Sequence, residues 1–158
     1  MKNKKLKRKG FTLIEVLIVI GILAILAGIA LVAINPARQF SQARDSQRLS
    51  HVNTILNAIV QNIAENRGTF TCDGDPFNIP TTATSTIKSG TSTGDLDLYT
   101  CLVPKYIPSM PIDPQNGAPL SGSSYDTKYN IIKNDTTGRI TISAEAEITE
   151  NDPIEATK

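Results

Sequence analysis

The chain has 158 residues and a formal net charge of +1, which suits one ordinary domain with an accessory segment. A charge this close to zero argues against a globally basic nucleic-acid-binding protein and against an acidic disordered tail. The averages conceal three unlike regions. Six of the sixteen basic residues lie at 1–10, and 20 of the 24 residues at 11–34 are apolar, whereas the remaining body is lean in apolar residues.

The first predicted element is an apolar helix at 11–34. Twenty-four helical residues extend about 36 Å, enough to cross the hydrocarbon core of a bilayer. The basic cluster precedes this helix and no comparable cluster follows it, so the positive-inside rule places residues 1–10 in the cytoplasm and the C-terminal body outside. The apolar run is longer than the ~7–15-residue core of a secretory signal peptide. A plain single-pass anchor explains its length and flanking charge.

A plain anchor does not explain Glu15, the only charged residue in this helix. A charged side chain costs ~2.5–3.5 kcal/mol at the middle of a bilayer, and less near its edge. One explanation is a favourable interaction with the positive end of the helix dipole. The other is a cationic partner, and cleavage between Gly10 and Phe11 would create one at the α-amine of Phe11. Because the helix separates the two groups within one chain, the amine would come from a neighbouring subunit shifted along the axis.

The junction from Lys7 to Glu15, KRKGFTLIE, resembles the processing site of type IV pilins and pseudopilins. The resemblance is close over about residues 5–35. It implies that a prepilin peptidase cleaves after Gly10 and methylates Phe11, and that Glu15 aligns each subunit with the Phe11 amine of its neighbour during assembly.

The resemblance implies a structural protein with no cofactor, the precursor of a type IV pilus subunit. Its implied partners are further copies of itself, the peptidase, the inner membrane before assembly, and a pilus assembly platform with its motor ATPase. Nucleotide-binding and hydrolase motifs are absent from the sequence, which argues against an enzyme, and no feature supports DNA or a surface ligand as a partner. The alternatives are a major pseudopilin of a type II secretion system and, outside the family, a membrane-anchored extracytoplasmic binding module.

The implied fold class is α+β, with a long N-terminal helix packed on a small antiparallel β-sheet and a loop-rich, disulfide-clamped region. Six segments are predicted in chain order: a removed leader at 1–10, a transmembrane and filament-core helix at 11–35, an amphipathic helix at 36–68, a Ser/Thr- and Pro-rich loop region at 69–124, a β-hairpin at 125–150 and a flexible tail at 151–158.

Gly28 and Pro36 are predicted to weaken the long helix, because glycine is a poor helix former and proline lacks an amide N–H. The result is either local unwinding in the fibre, as the resemblance implies, or a simple kink where the membrane ends. Beyond Pro36, apolar residues follow the 3.6-residue helical spacing, at Val52, Ile55, Leu56, Ile59, Val60 and Ile63. The charged residues of this helix, among them Arg44, Asp45 and Arg48, are predicted to lie mostly off that stripe. His51 is predicted to be a surface or half-buried residue.

The only two cysteines, Cys72 and Cys101, are predicted to form a disulfide, because the topology places both outside the cytoplasm. Two buried free thiols are the alternative. The bond would clamp the base of a Thr/Ser-rich stretch at 81–93 that is predicted to be a solvated loop. Five prolines at 102–119 predict an extended connector, whose similarity to the pre-sheet segment of major pseudopilins favours that alternative.

Asp113, Asn116 and Asp126 are candidate calcium ligands, because hard cations bind oxygen donors. Their spacing is not diagnostic, and turn formation is the preferred interpretation of these residues.

Overall fold

The computed structural model describes residues 10–90 and 92–158. The predicted leader at 1–10 therefore lies outside the described residues except for Gly10. The chain divides into two compact units between Gln39 and Phe40. The predicted α+β class is confirmed, because a long apolar N-terminal helix precedes a body in which a second helix packs on a β-sheet.

The first helix, α1 (Leu13–Ile34), is apolar on every side. An 18-residue stretch of it has a mean hydropathy of 3.2, and its 22 residues are long enough to cross a membrane. None of its residues is buried within the described chain. A helix of this kind requires an apolar environment from outside the chain, either lipid or other proteins.

The helical path is interrupted at Asn35 and resumes as α2 (Pro36–Glu65). Asn35 has a left-handed backbone with φ of 46°. Proline cannot continue the preceding hydrogen-bond ladder, but it fits the first turn of a new helix. The expectation of weakening at Gly28 is not met, because α1 continues through it. A helical glycine costs only about 1 kcal/mol and keeps its N–H donor.

One face of α2 builds the core of the body. Val52, Ile55, Leu56 and Ile59 are buried on this face, as the helical spacing predicts. The helix stops three residues earlier than expected, and Arg67 and Gly68 take positive φ just beyond it. The buried Asn62 side chain fixes this end, because its amide donates to the carbonyl of Thr71 and accepts from the Thr71 N–H.

The body contains a β-sheet of six strands and a separate two-stranded hairpin. The hairpin pairs β1 (Thr71–Cys72) with β2 (Asp75–Pro76). The sheet has the order β4-β3-β6-β7-β8, with β5 paired to β6, and only β3 and β4 pair in parallel. Its strands are β3 (Ser85–Lys88), β4 (Asp95–Leu96), β5 (Ala118–Ser121), β6 (Ser124–Lys133), β7 (Ile140–Ala144) and β8 (Ile154–Thr157).

The prediction of a solvated loop for the Thr/Ser-rich stretch at 81–93 is wrong at the centre of that stretch. Strand β3 lies there and pairs with both β4 and β6, with Ile87 fully buried. Threonine is a good strand former, and one inward isoleucine is enough to fix this strand to the core. The Thr127 hydroxyl donates to the Ile87 carbonyl at 2.6 Å and secures the contact.

The flexible tail predicted at 151–158 is also wrong, because its last residues form the edge strand β8. Ile154 is buried and pairs with Ala144 of β7. The hydroxyls of Thr141 and Thr157 share a hydrogen bond of 2.8 Å. Alternate apolar residues at 154 and 156 are enough to continue the antiparallel sheet, even though a proline precedes them.

The predicted disulfide between Cys72 and Cys101 is present. It joins β1 to a short helix, α3 (Tyr99–Leu102), whose Cys101 and Leu102 are buried in the core. The bond therefore ties the segment after α2 to the segment before the proline-rich connector. In the chain-entropy model a loop of about 30 residues is worth roughly 3–4 kcal/mol of stability.

Candidate functional site

The junction between Gly10 and Phe11 lies outside regular structure. Both residues are exposed and precede α1, and Phe11 keeps 88% of its surface accessible. A peptidase needs an accessible peptide bond, and Gly10 and Phe11 are both exposed. The residues predicted for cleavage and methylation therefore lie side by side at the start of the apolar helix.

Glu15 is held by Thr12 in a capping box at the start of α1. One carboxylate oxygen, Oε2, accepts from the Thr12 N–H and the Thr12 hydroxyl, both at 2.8 Å. In return, the Thr12 hydroxyl oxygen accepts from the Glu15 N–H at 3.3 Å. Sequence reasoning missed this role of Thr12, although threonine followed three residues later by glutamate is the pattern of a capping box.

The capping box leaves half of the Glu15 carboxylate available. Both hydrogen bonds that this carboxylate accepts end on Oε2, and among the described residues Oε1 accepts none. The helix N-terminus also favours a negative charge at this position. Glu15 is therefore stabilised within its own chain and can still accept a hydrogen bond from a second cation.

A buried charge cluster forms a second site, in the body. Arg48 lies on α2 with a side chain only 1% exposed, and it contacts three carboxylates. Its Nε donates to Asp113 at 2.6 Å, and its Nη1 donates to both Asp45 and Glu147 at 2.8 Å. Arg44 adds a second guanidinium to Glu147, through Nε at 2.6 Å and through Nη2.

The charge cluster joins three separate parts of the chain. Asp45 accepts from the backbone N–H groups of Glu147 and Ile148, so α2 is bonded directly to the segment after β7. Asp113 brings in the proline-rich connector. The prediction that Asp45 and Arg48 lie mostly off the buried stripe is wrong, because both are buried. Arg48 pairs with the distant Asp113 and Glu147, whereas Asp45 pairs with the nearby Arg48 and accepts from distant backbone N–H groups.

The cluster keeps its carboxylates ionised. Burial opposes the charge on Asp113, but hydrogen bonds from Arg48 and from the N–H groups of Gln115 and Asn116 outweigh it and lower its pKa. Burial likewise opposes the charge on Asp45, and hydrogen bonds from Glu147, Ile148 and Arg48 lower its pKa. Hydrogen bonds from Arg44 are the main reason that the pKa of Glu147 is lowered to about 2. Burial opposes this shift, and the hydrogen bond from Arg48 adds to it.

The stability of the body is expected to fall as the pH is lowered from about 4.5 towards 2. Because the pKa of Glu147 is lower in the folded than in the unfolded chain, its contribution is complete above the unfolded value of 4.5 and is lost towards 2. Thermal unfolding of the detergent-solubilised chain across this range tests this. Glu147→Gln should reduce the pH dependence, whereas Glu145→Gln, at an exposed neighbour, should not. An unchanged pH dependence in Glu147→Gln would contradict the assignment.

Two of the three candidate calcium ligands, Asp113 and Asp126, are already paired with basic side chains. Asp113 pairs with Arg48 and accepts from the N–H groups of Gln115 and Asn116, which is the turn role preferred from sequence. Asp126 pairs with Lys128 at 2.7 Å. Within residues 10–90 and 92–158, no group of three His, Cys, Asp or Glu side chains is placed to hold a metal ion.

His51 supports the same corner of the body. Its Nδ1 lies 2.9 Å from the hydroxyl of the fully buried Tyr129. Burial lowers the pKa of His51, although a hydrogen bond with the Ile112 backbone and the charge of Asp113 oppose this shift. His51 therefore connects α2 to β6 and to the connector, and nothing in its surroundings gives it metal-ligating partners among the described residues.

Comparison with known proteins identifies the N-terminal region. The family model of the prokaryotic N-terminal methylation motif matches residues 5–31, a range that contains Gly10, Phe11, Glu15 and most of α1. No curated protein and no solved structure matches the chain significantly. This motif is the class III leader of type IV pilins, and in this chain it covers the predicted processing junction and most of the apolar helix.

Proposed function

We propose that the chain is the precursor of a structural subunit that polymerises through its N-terminal helix into a type IV pilus. The observation that carries the proposal is the methylation motif on a helix that is apolar all round and has no buried residue within the described chain. Lipid can cover such a helix before assembly, and the same helices of other copies can cover it afterwards.

The proposed maturation changes the charge at the start of α1. Hydrolysis of the Gly10–Phe11 peptide bond removes a leader with six basic side chains and leaves a new α-amine on Phe11. The peptidase then transfers a methyl group to this amine from a methyl-donor cosubstrate, and the amine gives up a proton. The remaining 148 residues carry ten basic and fifteen acidic side chains, so the mature subunit is acidic. The Phe11 amine is then the cation nearest the start of the apolar helix.

Assembly is driven by packing and electrostatics in this account. The Phe11 amine of one subunit pairs with Glu15 of a neighbour, using the carboxylate oxygen that the Thr12 capping box leaves open. In the low dielectric of a fibre core, such a pair is favourable only when both charges are matched. The pairing therefore sets the axial register of each added subunit.

The precursor is proposed to lie in the inner membrane with its N-terminus in the cytoplasm, and the assembled fibre at the cell surface. The assembly platform and the motor ATPase are separate proteins in this scheme. The disulfide-clamped body faces solvent on the fibre, where it would determine adhesion, motility or DNA uptake. A disulfide suits that oxidising location.

A major pseudopilin of a type II secretion system is the second candidate, and the proline-rich connector favours it. Electron microscopy of cells with and without the chain separates the two. A pilus subunit is expected to give abundant long surface fibres that disappear on deletion. Unchanged fibres with loss of exoprotein secretion would indicate a pseudopilin, and neither effect would indicate a membrane-anchored binding module.

A further inference from the structure

Two large apolar side chains of α2 remain exposed on the body. Phe40 keeps 64% of its surface accessible and Leu49 keeps 46%, although both lie on the helix that builds the core. Neither belongs to the buried cluster or packs at its edge. Single exposed apolar residues are common on protein surfaces. These two are of interest because Leu49 lies in a groove, whereas Phe40 projects from the opposite flank of the helix.

Leu49 lies in a groove between α2 and the segment that leads into β8. The groove is lined on the helix side by Gln42, Asp45, Ser46 and Leu49, and on the other side by Asn151, Ile154 and Glu155. Leu49 and Ile154 give it an apolar interior, and the amides, the hydroxyl and the two carboxylates provide a polar rim. An aromatic ring fits such a setting, because it buries a large apolar area at low cost in conformational entropy.

Phe40 projects from the opposite flank of α2. Successive residues of an α-helix are about 100° apart, so Phe40 and Leu49, nine residues apart, point about 180° away from each other. The buried residues Val52 and Ile55 lie between these two directions. One flank of the helix therefore presents a projecting ring, and the other flank presents a groove.

We propose that Phe40 of one subunit inserts into the Leu49 groove of the next subunit in the fibre. A contact between two different patches of identical chains leaves one free ring and one free groove, so it repeats into an open helical polymer. A second copy is the expected occupant because the same chain supplies both halves. The inference rests on the proposed function, since it requires copies arranged in a fibre.

The register proposed for Glu15 would bring the two halves to the same level in a fibre whose α2 helices run along its axis. Pairing of a Phe11 amine with Glu15 of a neighbour offsets the copies by about four residues, roughly 6 Å, and by more when the glutamate side chain extends. Identical copies related by one helical operation are displaced equally at every residue. In a fibre whose α2 helices run along its axis, Phe40 is level with roughly residues 44–47 of that neighbour. This level lies between Gln42 and Leu49, the ends of the groove on the helix side.

Disulfide trapping in fibres tests the contact directly. Fibres sheared from cells that express Phe40→Cys/Leu49→Cys are oxidised and analysed on non-reducing gels. We expect a ladder of dimers, trimers and longer species, because every subunit carries both halves, whereas each single variant remains monomeric. The matched control is Phe40→Cys/Gln61→Cys. Gln61 is exposed on α2 but about 18 Å beyond Leu49, so this pair should also remain monomeric.

Several outcomes would overturn the inference. If oxidised fibres of the double variant give only monomers on the non-reducing gel, the contact is wrong. An equally strong ladder from the Phe40→Cys/Gln61→Cys control would also overturn it. If the double variant does not assemble, fibre yield decides: Phe40→Ala should lower it at least fivefold and Phe40→Leu should largely restore it, whereas full yield from Phe40→Ala would overturn the contact. Absence of fibres from the native chain would instead contradict the proposed function itself.

Discussion

Replacing Glu15 with alanine is expected to leave cleavage after Gly10 intact and to reduce fibre yield by more than tenfold. The cut precedes α1, so the peptidase still meets the same exposed junction. In the fibre core, however, the Phe11 amine loses its partner. A buried charge left without a partner costs about 3–5 kcal/mol, which corresponds to a change of more than about 100-fold in an association equilibrium. Immunoblots for the processed chain and quantification of sheared fibres measure the two effects separately.

Two further substitutions distinguish the charge of Glu15 from its capping role. Glu15→Gln keeps a side chain that can accept from Thr12 and removes the charge, so it should fail in assembly nearly as severely as alanine. Thr12→Val removes the hydroxyl of the capping box and keeps the carboxylate, so it should reduce yield less than either. Normal yield from Glu15→Gln would show that charge pairing is not what registers the subunits.

Replacing Arg48 with methionine is expected to destabilise the body by about 3–5 kcal/mol. Methionine fills much of the same volume but leaves Asp113 and Asp45 buried without their guanidinium. Glu147 suffers less because Arg44 still binds it. Guanidinium-induced unfolding of the detergent-solubilised chain, followed by circular dichroism, measures the loss.

The matched control is Arg139→Met, at an exposed arginine in the turn before β7. This change should alter stability by no more than about 0.5 kcal/mol. Adding Asp113→Asn to Arg48→Met should recover part of the lost stability, because it removes one of the charges left unpaired. An Arg48→Met variant as stable as the Arg139→Met control would contradict the structural role of the cluster.

The features that were predictable from sequence are those encoded over short distances. The apolar run, Glu15 and the Gly10–Phe11 junction are contiguous, so their meaning can be read without the fold. The stripe of Val52, Ile55 and Ile59 follows from helical periodicity alone.

The features that were missed depend on contacts between distant residues. Arg48 is buried because Asp113 and Glu147 meet it, and these lie 65 and 99 residues away. Strand β3 is stable because β6 pairs with it, although its own composition suggests a loop. Strand β8 likewise depends on its pairing with β7 and on the burial of Ile154. Local composition underestimates the strand tendency of a segment that is stabilised by pairing with neighbouring strands of the sheet.

The most direct test of the account is the intact mass of the subunit in fibres sheared from cells that make this chain. The account predicts a chain of 148 residues that begins at Phe11, carries one added methyl group on its α-amine and retains the Cys72–Cys101 disulfide. Tandem mass spectrometry of the N-terminal peptide locates the methyl group. An intact chain that still begins at Met1, or fibres that do not contain this chain, would contradict the claim that it is a processed fibre subunit.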